Sequence, residues 1–218
     1  MIDILLGGDN AVVIALACRK LPDSLRTKGI VWGTLGAIVL RVILIFFALT
    51  LLQIPYLKLV GAILLIWIGI KLLVPENEES HLGLDGGERL WTAVKTVIVA
   101  DLVMSIDNVI AIAGAAENAG GEHKMALVIF GLLVSIPVIV AGSQMVIKLM
   151  DRFPSVITLG GMLLGWIAGS MALSDPAIAP LIPNSEILHY ACGAAGALLV
   201  FALGKLLARH ARDSAQSK

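Results

Sequence analysis

One pattern of acids and an amide occurs twice in this chain, each time inside a long apolar run. It consists of an Asp, five further residues and then Asp-Asn. The residues are Asp3, Asp9 and Asn10 in the first copy and Asp101, Asp107 and Asn108 in the second. Carboxylates are costly inside a membrane, and those that occur there commonly mark ion pathways. The duplicated Asp-Asn therefore predicts a cation site where the first helices of two repeats meet.

The side chains near these motifs indicate which ions such a site would take. Carboxylate, amide and hydroxyl oxygens, the last from Ser105, suit Mg²⁺, Ca²⁺ and Mn²⁺. Met104 lies close before Asp107 and is either a packing residue or a softer donor that favours manganese over calcium. Histidine and thiol ligands, which Zn²⁺ favours, are absent from the centres of the apolar runs. The residues alone leave Mn²⁺ and Ca²⁺ open.

A single cation, Arg41, lies in the middle of the second apolar run. A charge facing lipid costs about 3 kcal/mol on the insertion scale, so Arg41 needs an anionic partner. Asp9, Asp101 and Asp107 are the candidates. Arg41 either locks the empty site until a cation displaces it, or forms a permanent structural ion pair.

The spacing within each motif limits what one straight helix can do. Asp3 and Asn10 lie on nearly the same helix face, whereas Asp9 points about 120° away from Asp3. Two arrangements satisfy this geometry. In one, Asp9 and Asn10 form the site and Asp3 lies towards an entrance. In the other, the helix breaks at Gly7-Gly8 and frees backbone carbonyls for the cation.

The composition indicates an all-α integral membrane protein. The 218 residues are 58% hydrophobic and 15% charged, with a mean hydropathy of +0.94. A soluble domain is less apolar and more charged. A net charge of +0 gives no sign of nucleic-acid binding. Apolar runs of bilayer length predict seven transmembrane helices, at 2–18, 29–52, 56–74, 91–116, 125–148, 155–174 and 187–208.

The basic residues predict the orientation of these spans. Of the 16 Lys and Arg residues, only Lys58 and Lys124 fall on the other side from the rest, and Arg41 lies within a span. Since positive charge collects in cytoplasmic loops, we expect the N-terminus outside and the C-terminus in the cytoplasm. The first span, 2–18, is short for a bilayer, so we expect the natural protein to begin earlier.

The duplication extends beyond the acids. Gly33 corresponds to Gly131, and residues 59–67 correspond to 158–166. Each unit then contains three spans, so the second unit must be inverted relative to the first. We predict a first three-helix repeat at 1–74, a cytoplasmic linker at 75–90, a second inverted repeat at 91–174, and a seventh helix with a cytoplasmic tail at 175–218. The glycine series Gly161, Gly165 and Gly169 predicts close helix packing in span six.

The sequences Gly7-Gly8-Asp9-Asn10-Ala11-Val12 and Ser105-Ile106-Asp107-Asn108-Val109 resemble those of the TerC family of integral membrane proteins, in its short seven-helix branch. The resemblance implies a manganese exporter of the bacterial cytoplasmic membrane. It implies that the metal-handling residues are Asp9, Asn10, Asp107 and Asn108. Asp3 and Asp101 match the accompanying acid of each motif.

These observations predict a transporter, not an enzyme. We expect efflux of Mn²⁺ as the transported substrate in exchange for protons, with no organic cofactor. The expected partners are the metal ion, protons and the lipid bilayer, and not nucleic acid. A Ca²⁺/H⁺ exchanger and a membrane scaffold that aids metal loading or insertion of other proteins are the alternatives. An aspartyl protease with Asp9 and Asp107 as its dyad would need neither the Asn residues nor the duplication. The oligomeric state stays open, a dimer included.

Overall fold

The structure, a computed structural model, describes residues 7–51, 54–74, 85–118, 124–182 and 185–216. These residues form α-helices and one short 3₁₀ turn, Ala179–Leu181, and no strand. The helices are α1 (Gly7–Cys18), α2 (Asp23–Leu51), α3 (Leu57–Leu73), α4 (Gly86–Asn118), α5 (Lys124–Arg152), α6 (Ser155–Leu173) and α7 (Glu186–Gln216). The prediction of an all-α protein is confirmed over this part of the chain.

Four of these helices contain a stretch long and apolar enough to cross a bilayer, within the described residues. The stretches are Asp23–Phe47, Phe130–Arg152, Ser155–Leu173 and Glu186–Ala211. Helix α1 is apolar but shorter, and α3 has 17 residues. The membrane character follows from these stretches. Seven full crossings, the inverted repeats and the unit boundaries stay predictions.

Several helices are longer than their apolar runs. Helix α4 begins at Gly86, five residues before the predicted start at Trp91, and therefore takes in the end of the predicted linker. Helix α7 continues to Gln216. Hydropathy marks only the part of a helix that suits hydrocarbon, so polar turns that continue a helix into the interface escape it. The rest of the predicted linker, 75–84, lies outside the described residues.

Each of the first three helices packs against one of the next three. Helix α1 packs against α5, α2 against α4, and α3 against α6, while α1 also contacts α4. The core between them is apolar, and its largest fully buried side chains include Leu16, Ile30, Leu65 and Leu164. The contact between α1 and α4 places the two Asp-Asn motifs on neighbouring helices.

The predicted close packing of span six is confirmed. A Cβ atom added at Gly165 would collide with the carbonyl oxygen of Gly196, and one added at Gly169 with that of Cys192. Only glycines allow two backbones to approach this closely. Helix α7, which also packs against α3, is therefore fastened to α6 along a glycine seam.

Candidate metal site

Asp9 and Asn10 lie in the first described turn of α1, where Gly7 and Gly8 are already helical. The half-buried carboxylate of Asp9 accepts a hydrogen bond of 2.8 Å from the backbone N–H of Asn10. The Asn10 side chain is 3% exposed, and neither its amide nitrogen nor its amide oxygen has a hydrogen-bond partner among the described residues. A buried amide normally bonds through both atoms, so the Asn10 amide is a candidate partner for a polar ligand.

A cavity of about 400 Å³ joins the two motifs. Asp9 lines it from α1, and Met104 and Asn108 line it from α4. Met104 and Asn108 are one helical turn apart, so they present neighbouring donors on one face of α4. The cavity thus combines a carboxylate, an amide and a thioether from the two helices that carry the repeated pattern.

The opposite wall of the cavity consists of α6 and the start of α7. It contributes further oxygen and sulfur atoms from Ser170, Met171 and Ser174, and His189 is an exposed residue on the same wall. The hydroxyl of Ser170 donates to the Trp166 carbonyl, and that of Ser174 donates to the Met171 carbonyl. Both hydroxyl oxygens keep lone pairs that can face a cation.

A basic side chain, Lys58, also lines this cavity. Lys58 is 7% exposed, and its Nζ donates a hydrogen bond of 3.1 Å to Ser174 Oγ. It lies in the first turn of α3, at the helix end predicted to face outside. A positive charge here raises the cost of holding a dication, so the acid opposite it matters more.

Arg41 forms a separate buried cluster with Asp101 and Ser105. Its Nη2 lies 2.5 Å from Asp101 Oδ1, and its Nε donates to Ser105 Oγ at 3.0 Å. Ser105 in turn donates to Asp101 Oδ2 at 3.0 Å, because the two residues are one turn apart on α4. Of the three predicted candidates, the structure therefore pairs Arg41 with Asp101. Arg41 and Asp101 also interact electrostatically with Asp9.

A second fully bonded acid, Asp175, was not predicted from the sequence. It lies between α6 and the 3₁₀ turn and is 0% exposed. Its Oδ1 accepts hydrogen bonds of 2.9 Å from the backbone N–H groups of Tyr56 and Ala177. Its Oδ2 accepts bonds of 3.0 and 3.2 Å from those of Lys58 and Leu59. Asp175 thereby caps the start of α3, a position that no local pattern reveals because the partners are so distant in sequence.

The environment of Asp175 keeps it ionised. Burial disfavours the carboxylate, but the four backbone N–H groups outweigh burial and hold the pKa of Asp175 below its ordinary value of 3.8. Tyr56, with φ of 65°, turns the chain so that its N–H and those of α3 converge on this carboxylate. Both oxygens of Asp175 are thus engaged by the backbone, so this acid has a structural role.

Two predicted residues cannot be placed in this geometry. Asp3 lies outside the described residues. Asp107 belongs to α4, but its side chain is not among those described. Within the described part of the chain, no group of three or more His, Cys, Asp or Glu residues could hold a metal ion. The described donors that line the cavity with Asp9 include amide, hydroxyl and thioether groups.

Comparisons with known proteins agree with the membrane architecture. The family model described as "Integral membrane protein TerC family" matches residues 1–213. The uncharacterized membrane protein YjbE of Bacillus subtilis is 42% identical over 174 residues, which are 80% of this chain and 77% of YjbE. YceF of the same organism is 28% identical over 77% of this chain and 66% of its own length. YegH of Escherichia coli is 24% identical over 73% of this chain and 32% of YegH. No solved structure gives a significant match.

Proposed function

Because the chain belongs to the TerC family of multi-pass integral membrane proteins, we propose that it transports a divalent metal cation out of the cytoplasm, with Mn²⁺ as the main substrate. The observation that carries this proposal is the shared cavity. Asp9 from α1 and Asn108 from α4 line one cavity beside Met104. One residue of each repeated Asp-Asn pattern thus lies at a common cavity.

The unpaired amide of Asn10 supports a polar ligand next to Asp9, although Asn10 itself does not line the cavity. Asn10 is buried next to Asp9, and both of its amide atoms lack a partner among the described residues. A buried unsatisfied amide costs about 1–3 kcal/mol. A cation with its remaining water molecules would bond to the amide oxygen directly and to the amide nitrogen through water. In this proposal Asp9, Asn10 and Asn108 bind the ion, and Asp107 completes the acid pair.

The Arg41 cluster indicates that Asp101 has a structural role and leaves Asp9 as the acid that can bind the ion. Arg41 neutralises Asp101, so Asp101 does not need a metal to offset its charge. Asp9 has no such ion pair among the described contacts and lines the cavity. We propose that Arg41 and Asp101 form a permanent ion pair, held by Ser105, that fixes α2 against α4. We also propose that Asp3 lies on the entry path.

The donor set favours manganese over calcium. Ca²⁺ prefers six to eight oxygen ligands, whereas Mn²⁺ accepts fewer oxygens and softer atoms. Among the residues that the structure describes, the cavity offers two thioethers, Met104 and Met171, beside the carboxylate of Asp9. A Ca²⁺/H⁺ exchanger stays the alternative, because the oxygen donors around the cavity also suit Ca²⁺.

Proton exchange follows from the same carboxylate. When a cation leaves the cavity, a proton can replace it on Asp9, so that no unpaired charge stays in the membrane. Lys58, Ser174 and His189 line the cavity and lie at helix ends predicted to face outside. We propose that the structure has its cavity open to the outside, with the N-terminus outside, the C-terminus in the cytoplasm and the two units inverted. The cross-pairing of α1 with α5, α2 with α4 and α3 with α6 supports the inversion.

The test is metal uptake into inside-out membrane vesicles, in which export appears as accumulation. Mn²⁺, Ca²⁺, Mg²⁺ and Zn²⁺ are compared with and without an imposed pH gradient. We expect saturable Mn²⁺ uptake that depends on the gradient. Saturable uptake of Ca²⁺ without Mn²⁺ would contradict the proposed ion, and the absence of any uptake would favour the scaffold function.

The site is tested by Asp9→Asn, which keeps the size and the hydrogen-bond acceptor but removes the charge. Loss of groups that merely support metal ligands costs about 10–100-fold, so we expect at least about a tenfold lower rate. The matched control is Asp23→Asn, because the Asp23 side chain is 89% exposed at the start of α2. Wild-type transport by Asp9→Asn at equal protein level would show that the site is wrongly assigned.

A further inference from the structure

A second cavity lies at the opposite ends of α1, α3 and α4 from Asp9. Its volume is about 480 Å³. Four basic residues line it: Lys20 after α1, Lys71 at the end of α3, and Arg89 and Lys95 in the first turns of α4. Among the described lining residues there is no Asp or Glu. The cavity therefore concentrates positive charge at the helix ends that the sequence predicts to face the cytoplasm.

The rest of the lining is mostly apolar. Ile68, Leu72 and Val99 form part of its wall, and Thr92 and Thr96 add hydroxyl groups near the basic residues. Thr96 Oγ1 donates its proton to the Thr92 carbonyl. The Thr96 hydroxyl can therefore accept a further hydrogen bond but cannot donate one to an anion. The hydroxyl of Thr92 and the exposed ammonium groups of Lys71 and Lys95 are then donors that an anion can contact, while Lys20 Nζ also donates to the Val74 carbonyl at 3.0 Å.

Two exposed tryptophans indicate where this cavity lies in the membrane. Lys71 Nζ is 5.1 Å from the centre of the Trp67 ring, and Lys95 Nζ is 5.2 Å from that of Trp91. The rings are 55% and 57% exposed. Tryptophan with its ring exposed at a helix end is typical of the boundary between lipid and water. A lysine over such a ring keeps its ammonium group at the level of lipid headgroups.

We infer that this cavity binds the phosphate group of an anionic phospholipid from the cytoplasmic leaflet, with an acyl chain along its apolar wall. Charge complementarity selects the occupant, since basic pockets between transmembrane helices on this side suit anionic headgroups. A zwitterionic lipid would bring an ammonium group into the same positive field. A soluble phosphate would leave the apolar wall uncovered.

The bound lipid would connect three helices that carry the candidate metal site. Lys20 follows α1, Lys71 belongs to α3, and Arg89 and Lys95 belong to α4. One phosphate held by these groups would keep the inner ends of the three helices together. The inference does not depend on the transported ion, and binding can be measured without transport.

The test uses the purified full chain in a non-ionic detergent. Thermal unfolding is followed after addition of phosphatidylglycerol, phosphatidylcholine or glycerol 3-phosphate. We expect phosphatidylglycerol to raise the midpoint, and the other two to leave it nearly unchanged. Equal shifts with both lipids would overturn the inference. An equal shift with glycerol 3-phosphate would show a soluble-anion site instead of a lipid site.

The variant Lys71→Gln/Lys95→Gln tests the residues. Both side chains are exposed, so the fold should tolerate the change. The matched control is Lys205→Gln, because Lys205 Nζ lies 4.8 Å from the Phe201 ring on the same predicted side but does not line the cavity. We expect the double variant to lose at least half of the shift caused by phosphatidylglycerol and the control to keep it. Equal shifts in the two variants would overturn the assignment.

A fluorescence measurement gives an independent answer. Phosphatidylglycerol with brominated acyl chains should quench Trp67, which lines the cavity. We expect Trp67→Phe to remove more of this quenching than Trp32→Phe, because Trp32 is similarly exposed, at 62%, but lies on α2. The same loss in both variants would contradict a lipid chain in this cavity.

Discussion

Asp9 lines the candidate cavity and Asp175 directly follows Ser174, which also lines it, but the surroundings of the two carboxylates differ sharply. Asp175 is fully buried and accepts four backbone hydrogen bonds, two of them from the start of α3. Asp9 is half-buried, and among the described residues its side chain accepts a hydrogen bond from the backbone N–H of its neighbour Asn10. Asp175 connects helices. Asp9 keeps lone pairs that a cation could use.

The Arg41–Asp101 pair belongs with Asp175 in this comparison. Both oxygens of Asp101 are engaged, one by Arg41 and one by Ser105. An acid whose oxygens are all bonded by the protein stabilises the fold. An acid that keeps lone pairs free of protein hydrogen bonds, next to an unpaired amide, can bind a cation. The comparison predicts that the structural acids dominate stability and that Asp9 dominates transport.

The largest expected effect on stability is that of Arg41→Met. It would leave Asp101 charged and buried without its partner, and breaking a buried pair costs about 3–5 kcal/mol of the free energy of unfolding. Replacing both residues, as in Arg41→Met/Asp101→Leu, should restore at least half of this loss. The measurement is chemical unfolding in detergent. Wild-type stability of the single variant, or a double variant as unstable as the single one, would contradict the structural role of the pair.

Asp175→Ala should have the next largest effect. It would leave buried N–H groups at the start of α3 without their acceptor, at a cost of about 3 kcal/mol. The control is Asp151→Ala, whose side chain is 56% exposed in a weak ion pair and should cost less than about 1 kcal/mol. Both variants are compared by unfolding in detergent. Equal losses would show that Asp175 does not connect α3 to α6.

The contribution of Asp175 should also depend on pH. Since its folded-state pKa is lower than the ordinary 3.8, the carboxylate stabilises the fold fully above that value. The contribution is lost as the pH falls from there through the lower folded-state pKa. The advantage of wild type over Asp175→Asn should therefore be largest at neutral pH and shrink below 3.8. A difference in stability that stays constant with pH would contradict the stabilising role of the ionised Asp175 carboxylate.

The smallest expected effect on stability is that of Asp9→Asn. The variant keeps an acceptor for the Asn10 N–H, so we expect a change of less than about 1 kcal/mol, or a gain if the charge is strained without metal. The same variant should lose transport. A large loss of stability would place Asp9 with Asp175 as a structural acid and remove the contrast.

Much of the helical framework could be predicted because it depends on local properties. Apolar runs announced helices at the positions of α2, α3, α5 and α6, and the glycine series announced the seam between α6 and α7. Helix ends were less accurate, as at Gly86, because polar turns lie outside the apolar run. Among the site residues, the repeated pattern pointed to Asp9 and Asn108, which share a cavity.

Other parts of the site had no sequence signal. Lys58 was predicted only to lie on the outer side, at the start of span 56–74, and Ser170 and Met171 belong to an ordinary apolar helix. Their place in the cavity depends on how α3 and α6 pack. Asp175 could be noticed only as an isolated acid, since its partners on α3 belong to a distant part of the chain.

The sequence by itself determined that the chain is helical, that it belongs in a membrane and that its buried acids need counter-charges. These conclusions follow from the free-energy cost of exposing backbone polar groups and charges to hydrocarbon. That cost depends on each segment separately, so the sequence of the segment is enough to predict it. Only the tertiary structure decided which acid each counter-charge serves: Arg41 pairs with Asp101, and the start of α3 holds Asp175. Pairing depends on which helices come into contact, and that is a property of the whole packed bundle.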